Sequence, residues 1–119
     1  MSGLRRHIEL AAIDMASGWE RRDLPAGFEM KVLADDLDEA ARTGARTRLV
    51  RLAPGAAASG SIVHDFWEET YLLAGDMVDL DNQRSVRAPI YSLRPPGTPH
   101  GPFGSETGCT VLEIQYYVK

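Results

Sequence analysis

Proline and glycine residues divide this chain into short apolar runs, and that spacing limits the folds open to it. Seven prolines and eleven glycines occur among 119 residues, so a turn signal follows nearly every apolar stretch. This rhythm is typical of an all-β sandwich or barrel rather than a helical bundle. Strands are predicted at residues 7–14, 28–34, 47–53, 69–75, 77–81, 88–94 and 109–118.

Only the segment DDLDEAAR, residues 35–42, has a helical composition. Its apolar positions are few and a Thr-Gly pair follows it directly, so we expect a turn or one helical coil. Hydrophobic residues make up 44% of the chain and charged residues 25%, which is ordinary for a globular protein. Residues 1–119 are therefore expected to fold as a single domain.

The charge of the chain argues against several classes of partner. Thirteen Lys and Arg stand against seventeen Asp and Glu, a net charge of -4, and the arginines are scattered, so no nucleic acid is expected as a partner. No apolar run is long enough to span a membrane. A single cysteine, Cys109, excludes an internal disulfide and fits a reducing compartment, so we expect a cytoplasmic protein with a buried, inert thiol.

Alternation along the last predicted strand leaves one question open. Val111, Glu113, Gln115 and Tyr117 share one face, and the residues between them share the other. The second face, with its leucine and isoleucine, looks more like core, which would turn Glu113 and Gln115 to solvent. In a barrel wide enough to hold a pocket, these two side chains would line it instead.

Two of the three histidines lie in patterns that suit metal binding. His64 precedes Glu68 by four residues, and His100 closes RPPGTPH, where prolines and a glycine impose a rigid turn. Two imidazoles and one carboxylate on separate strands form the facial set that binds Fe²⁺, and Zn²⁺, Mn²⁺ or Ni²⁺ would also accept them. The alternative is that each histidine is a hydrogen-bonded structural residue.

The spacing around these residues resembles the two motifs of the cupins, the RmlC-like jelly-roll proteins. The first cupin motif reads G(X)5HXH(X)3-4E(X)6G. Glu68 is followed by six residues and Gly75, which places it at the glutamate position. His64 then takes the second histidine position, and Ile62 replaces the first.

The second cupin motif reads G(X)5PXG(X)2H(X)3N. Pro95, Gly97 and His100 reproduce its PXG(X)2H segment, whereas Pro89 and Gly104 replace its first glycine and its asparagine. The resemblance covers roughly residues 45–118. It implies a double-stranded β-helix, a jelly-roll barrel, in which His64, Glu68 and His100 are the metal ligands.

The stretches LVRLAPG, WEETYLLAGD and RPPGTPHGPF are similar to the small cupins of anti-sigma factors and of acetylacetone-cleaving dioxygenases. That resemblance implies a metal-dependent dioxygenase that acts on a small organic molecule such as a β-dicarbonyl, with Fe²⁺ as the favoured ion. It also implies a homodimer, and we expect the N-terminal strand to contribute to the dimer interface.

Three other functions stay open. The same site could polarise a carbonyl without oxygen in a lyase, isomerase or cyclase, with Glu68 as the base. A non-catalytic ligand or metal sensor is the second. The third is a metal-free cupin, in which Ile62 marks a lost ligand and His100 binds an organic ligand.

Aromatic residues beside the motifs are candidates for a substrate pocket, since such sites have mostly apolar walls. The expected pocket residues are Ile62, Phe66, Trp67 and Phe103. Arg48, Arg51 and Arg94 are predicted to be surface residues, although any that faced inward would suit a carboxylate or carbonyl substrate.

Overall fold

The computed structural model describes residues 5–118, and the described chain contains strands and turns without a helix. No helix in this part of the chain could span a membrane. Seven strands follow in chain order: β1 Phe28–Asp35, β2 Ala45–Leu52, β3 Trp67–Asp79, β4 Arg84–Arg87, β5 Ile90–Arg94, β6 Phe103–Gly104 and β7 Cys109–Tyr116.

All strand pairs are antiparallel, and β3 connects the two parts of the sheet. The strand order is β1-β2-β7-β3-β4, and β5 and β6 also pair with β3. The register of β3 shifts between Leu72 and Ala74, immediately before Gly75. Gly75 has a positive φ of 83°, and a Cβ there would lie 2.0 Å from the Gly108 carbonyl oxygen. Only glycine allows the two backbones to approach this closely.

The inner faces of four strands form the apolar core. Its buried members are Phe28, Met30, Val50, Leu52, Leu72, Cys109 and Val111. Burial raises the pKa of the Cys109 thiol, which agrees with the inert cysteine predicted from the sequence. Four of these core residues, Phe28, Val50, Leu52 and Val111, also line the cavity described below.

The predicted N-terminal strand at 7–14 is wrong, because these residues are exposed and pair with no neighbouring strand. The predictions at 28–34, 47–53, 88–94 and 109–118 correspond to β1, β2, β5 and β7. The predicted strands at 69–75 and 77–81 form one strand, β3, and residues 35–42 form turns without a helix, as expected.

The structure answers which face of the last strand points inward, a question that the sequence left open. Cys109, Val111 and Gln115 are buried, and Glu113 shares their face, whereas the residues between them are only partly buried. Glu113 and Gln115 therefore face the interior. Charged and amide partners on neighbouring strands make this burial possible, as described below.

Asp76 organises the connection between β6 and β7. It lies inside β3, is buried, and accepts hydrogen bonds from the Ser105 and Thr107 hydroxyls and from the backbone N–H groups of Glu106 and Thr107. These bonds, that from the Thr107 side chain first, hold the pKa of Asp76 well below its usual range. The carboxylate therefore stabilises the fold in its charged form.

We expect Asp76→Asn to destabilise the protein most at neutral pH. A carboxyl whose native pKa is depressed contributes its full stability above its ordinary pKa, about 4, and loses it as the pH falls below that value. Urea denaturation between pH 7 and pH 3 should show the wild-type and variant free energies of unfolding converging in acid. Asp81→Asn, in the exposed β3–β4 turn, is the matched control; a constant difference across the pH range would contradict the assignment.

Candidate metal centre and cavity

The fold brings the three predicted ligands together. Glu68 is at the start of β3, His64 precedes that strand, and His100 precedes β6. The Nε2 of His100 lies 3.4 Å from Oε1 of Glu68, and the Nε2 of His64 lies 3.9 Å from Oε2. One ligand atom from each residue falls within 4.8 Å of the others.

Backbone contacts orient His100. Its Nδ1 lies 3.1 Å from the Thr98 carbonyl oxygen, which leaves Nε2 pointing at Glu68. Paired hydrogen bonds of 2.7 and 2.9 Å join the backbones of Ile62 and His100. The backbone N–H of Gly97 donates to the His64 carbonyl at 2.7 Å. The Pro-Pro-Gly turn thus fixes both histidines relative to each other.

His64 lies against Phe66, with the two rings stacked at 4.4 Å between centroids. Burial lowers the pKa of the His64 imidazole and outweighs the opposite influence of the Glu68 carboxylate. The imidazole is therefore neutral at neutral pH. A neutral imidazole is the form that ligates a metal ion.

A row of hydrogen bonds across four strands fixes Glu68. Arg94 of β5 donates to Oε1 at 3.2 Å, and the Gln115 amide of β7 donates to Oε2 at 2.6 Å. The Gln115 oxygen in turn accepts from Nε of Arg46 on β2 at 2.8 Å. Gln115 is fully buried, so this row holds the carboxylate rigidly.

These residues fit a divalent metal ion. The set contains two imidazoles and one carboxylate, as in sites that bind Fe²⁺ and leave positions open for substrate. Two of the three ligands also have outer partners: Thr98 holds His100, and Arg94 and Gln115 hold Glu68. Such outer contacts orient the ligands of metal sites in proteins.

A cavity of about 340 Å³ opens beside the three residues. Its wall is mostly apolar and comes from the inner faces of β1, β2, β3 and β7, together with the segment before β1. The apolar side chains that line it include Leu24, Phe28, Val50, Leu52, Met77 and Val111. The cavity is large enough for a small organic molecule.

The predicted pocket residues divide into two pairs. Ile62 and Phe103 line the cavity, whereas Phe66 and Trp67 do not. Phe66 is buried behind the His64 ring. Trp67 is the residue before Glu68 in β3 and so points to the opposite face of the sheet.

Two arginines predicted to be surface residues face the cavity. The side chains of Arg48 and Arg94 are 13% and 14% exposed, and each forms an ion pair with a glutamate of the interior. Arg51 follows the surface prediction, since it pairs with Glu29 at 3.0 Å on the outer side and is 39% exposed. Each inner arginine is the cross-strand partner of an inward-facing glutamate. Arg48 lies opposite Glu113, and Arg94 lies opposite Glu68.

Arg46 is not predicted from the sequence as a site residue, and Glu113 and Gln115 adopt the inward orientation that the sequence left open. Burial raises the pKa of Glu113, against the opposing influence of Arg48. Strand alternation carried the signal for these residues: once Glu68 faces inward, its cross-strand partner Gln115 must do so too, and then Arg46.

A family model described as the ChrR cupin-like domain matches residues 12–118. No curated protein matches the chain.

Several solved structures share the fold. An RmlC-like cupin from Shewanella frigidimarina is 16% identical, with a TM-score of 0.67 over 94% of each chain. An acetylacetone dioxygenase from Acinetobacter johnsonii is 14% identical, with a TM-score of 0.62 over 97% of this chain and 82% of that one. The anti-sigma factor ChrR of Rhodobacter sphaeroides, solved in complex with SigE, is 19% identical, with a TM-score of 0.64 over 85% of this chain and 50% of the other. These likenesses confirm the predicted all-β jelly roll.

Proposed function

The chain belongs to the ChrR cupin-like domain family, and from that membership we propose that it is a metal-binding cupin that acts on a small organic molecule. The observation that carries the proposal is the placement of His64, Glu68 and His100, with ligand atoms within 4.8 Å, at the edge of an apolar cavity. In its concrete form the protein is a dioxygenase-like oxidoreductase for a β-dicarbonyl or related enolisable molecule. Fe²⁺ is the favoured ion, and Zn²⁺, Mn²⁺ or Ni²⁺ are alternatives.

When bound, the ion would supply Lewis acidity and redox chemistry. The protein's own residues bind, orient and shield the substrate. The apolar wall around Ile62 and Phe103 excludes water from the reacting end of the molecule. Arg94, 3.2 Å from the Glu68 carboxylate, stands where it would also hydrogen-bond an oxygen of the substrate.

A second candidate uses the site without oxygen, as a lyase, isomerase or cyclase. The contacts of Glu68 favour it, because Arg94 and Gln115 keep this carboxylate in place at the cavity wall independently of an ion. Glu68 would then act as the general base on a substrate proton. A non-catalytic ligand or metal sensor is the third candidate, and the similarity to the cupin domain of ChrR supports it.

Elemental analysis and oxygen uptake test these functions together. Protein purified without chelator should contain close to one metal ion per chain, and His64→Ala should lose it. Iron-loaded protein that consumes oxygen when acetylacetone is added would support the dioxygenase. Conversion of a carbonyl substrate without oxygen uptake would support the second candidate. Absence of metal even after anaerobic loading would refute all the metal-dependent functions.

We also propose a homodimer. The N-terminal segment, although not a strand, exposes apolar side chains, and so does the outer face of the sheet around β5. The exposed residues are Ile8, Leu10, Ile13 and Met15 in the segment, and Leu73, Tyr91 and Leu93 on the sheet. In the dimer, the N-terminal segment of one copy would pack on the outer sheet face of the other, so that both sets of apolar side chains become buried.

We expect Leu93→Lys to convert the dimer to a monomer, because a charge would lie within the apolar contact. Sedimentation velocity at micromolar concentration measures the change. Leu80→Lys, at an exposed apolar residue in the β3–β4 turn, should leave the dimer intact. A wild-type protein that sediments as a monomer would contradict the proposal.

A further inference from the structure

The cavity contains a second polar group besides the candidate metal ligands. Arg48 of β2 and Glu113 of β7 are direct cross-strand partners. Nε of Arg48 donates to Oε1 of Glu113 at 2.8 Å, and the two side chains are only 13% and 17% exposed. Both residues line the same cavity as His64 and Glu68.

This pair lies at a defined distance from the candidate metal centre. Glu113 is the cross-strand partner of Thr70, which lies two residues beyond Glu68 on the same face of β3. Two residues of a strand span about 7 Å. One molecule of moderate size can therefore reach both groups.

Arg48 retains hydrogen-bond donors for a ligand. Its guanidinium carries five N–H bonds, of which the Nε bond goes to Glu113 and an Nη1 contact of 3.2 Å goes to the weak acceptor Sδ of Met30. Among residues 5–118, no buried side-chain nitrogen or oxygen lacks a hydrogen-bond partner. Nη2 of Arg48 has no hydrogen-bond partner in the protein, so it is not a fully buried atom. Because Arg48 lines the cavity, we infer that Nη2 is accessible from it.

The charge of the cavity favours an anion once a divalent ion is bound. Arg48 and Arg94 balance Glu68 and Glu113, and Asp23 adds one negative charge at the exposed mouth. A divalent ion would leave the site with a net positive charge. In a confined, mostly apolar cavity that charge is weakly screened, so an anionic ligand would be bound in preference to its neutral analogue.

We propose that the substrate is an apolar organic acid whose carboxylate binds to Arg48, while its other oxygen-bearing end lies at His64, Glu68 and His100. This inference rests on the proposed function, because it places the reacting end at the candidate metal centre. Glu113 holds the guanidinium by its Nε edge. Nη2, which bonds to no other group of the protein, is then available to donate to a carboxylate.

Calorimetric titration with pairs of acids and amides tests the assignment. The probes are butanoate, hexanoate, benzoate and phenylacetate, each compared with its primary amide, on zinc-loaded and on chelator-treated protein. At least one acid should bind wild-type protein about ten times or more tighter than its amide, since a hydrogen-bonded ion pair replaces a neutral contact. Arg48→Gln should reduce that preference to near unity in the chelator-treated protein, where no ion can bind the carboxylate in place of the guanidinium.

Arg51→Gln is the matched control, because it removes the same charge from the outer side of the same strand. The double variant Arg48→Gln with Glu113→Gln removes both charges without leaving a buried carboxylate unpaired, so it replaces Arg48→Gln if that protein does not fold. An acid preference that survives in the folded, chelator-treated variant, or equal binding of acids and amides by wild type, would overturn the inference. A wild type that takes up no metal but prefers acids through Arg48 would refute the proposed function alone.

Discussion

Glu68→Ala should abolish tight metal binding while the protein stays folded. The carboxylate lies within 3.4 and 3.9 Å of the two imidazoles and is the one anionic group of the set. Loss of an outer partner alone weakens metal sites about 10- to 100-fold. We therefore expect removal of the ligand itself to cost roughly 100-fold or more in affinity, measured by competition with a chelator for Zn²⁺ or Co²⁺.

Glu68→Ala also lowers the free energy of unfolding, and this loss of stability must be separated from the loss of metal affinity. Without the carboxylate, Arg94 and Gln115 each lose a hydrogen-bond partner, and a buried polar group left unpaired costs about 1–3 kcal/mol. Glu68→Gln keeps an acceptor for Arg94 but replaces the anionic ligand with a neutral one. It should therefore lose the metal with a smaller loss of thermal stability than Glu68→Ala.

The adjacent glutamate provides the control. Glu69 faces the opposite side of β3, where it accepts hydrogen bonds of 2.7 Å from the Tyr91 and Tyr116 hydroxyls. Glu69→Ala removes a carboxylate from the same strand but not from the cavity, so its metal affinity should equal that of wild type. Equal affinities for the Glu68 and Glu69 variants would refute the proposed metal centre.

The sequence predicted the strands that carry apolar residues on at least one face, because alternation and turn residues mark them directly. It failed where pairing alone decides the structure. Residues 84–87 read RSVR and have no apolar pattern. They nevertheless form β4, because the last residues of β3 extend past its pairing with β7 and pair with them instead. Residues 7–14 do have apolar side chains, but they pair with no strand and are exposed.

The candidate ligands could be found from motif spacing, whereas their surroundings could not. His64, Glu68 and His100 carry their own signal in the sequence. The inward orientation of Glu113 and Gln115 depends on Arg48 and Arg46, which are more than sixty residues away in the chain. Sequence patterns that rank charged residues as exposed miss pairs of this kind, since burial becomes acceptable only when both partners are present.

The substitution of isoleucine for the first histidine of the cupin motif is testable by reversing it. Ile62 lies directly across from His100, joined to it by two backbone hydrogen bonds. Opposed residues of an antiparallel pair point to the same side. Ile62 lines the cavity together with the three candidate ligands, so a histidine side chain at this position would point toward them.

We therefore expect Ile62→His to add a fourth ligand and to tighten metal binding about tenfold, the lower limit of the effects seen when a metal site loses one supporting group. The visible spectrum of the Co²⁺-loaded protein should change as well, because the ligand set changes. Val63→His places the same imidazole on the next, exposed residue, which points away from the cavity, and should alter neither property. If both variants bind metal with wild-type affinity and an unchanged spectrum, then residue 62 does not occupy a ligand position, and the cupin register assigned to His64 is wrong.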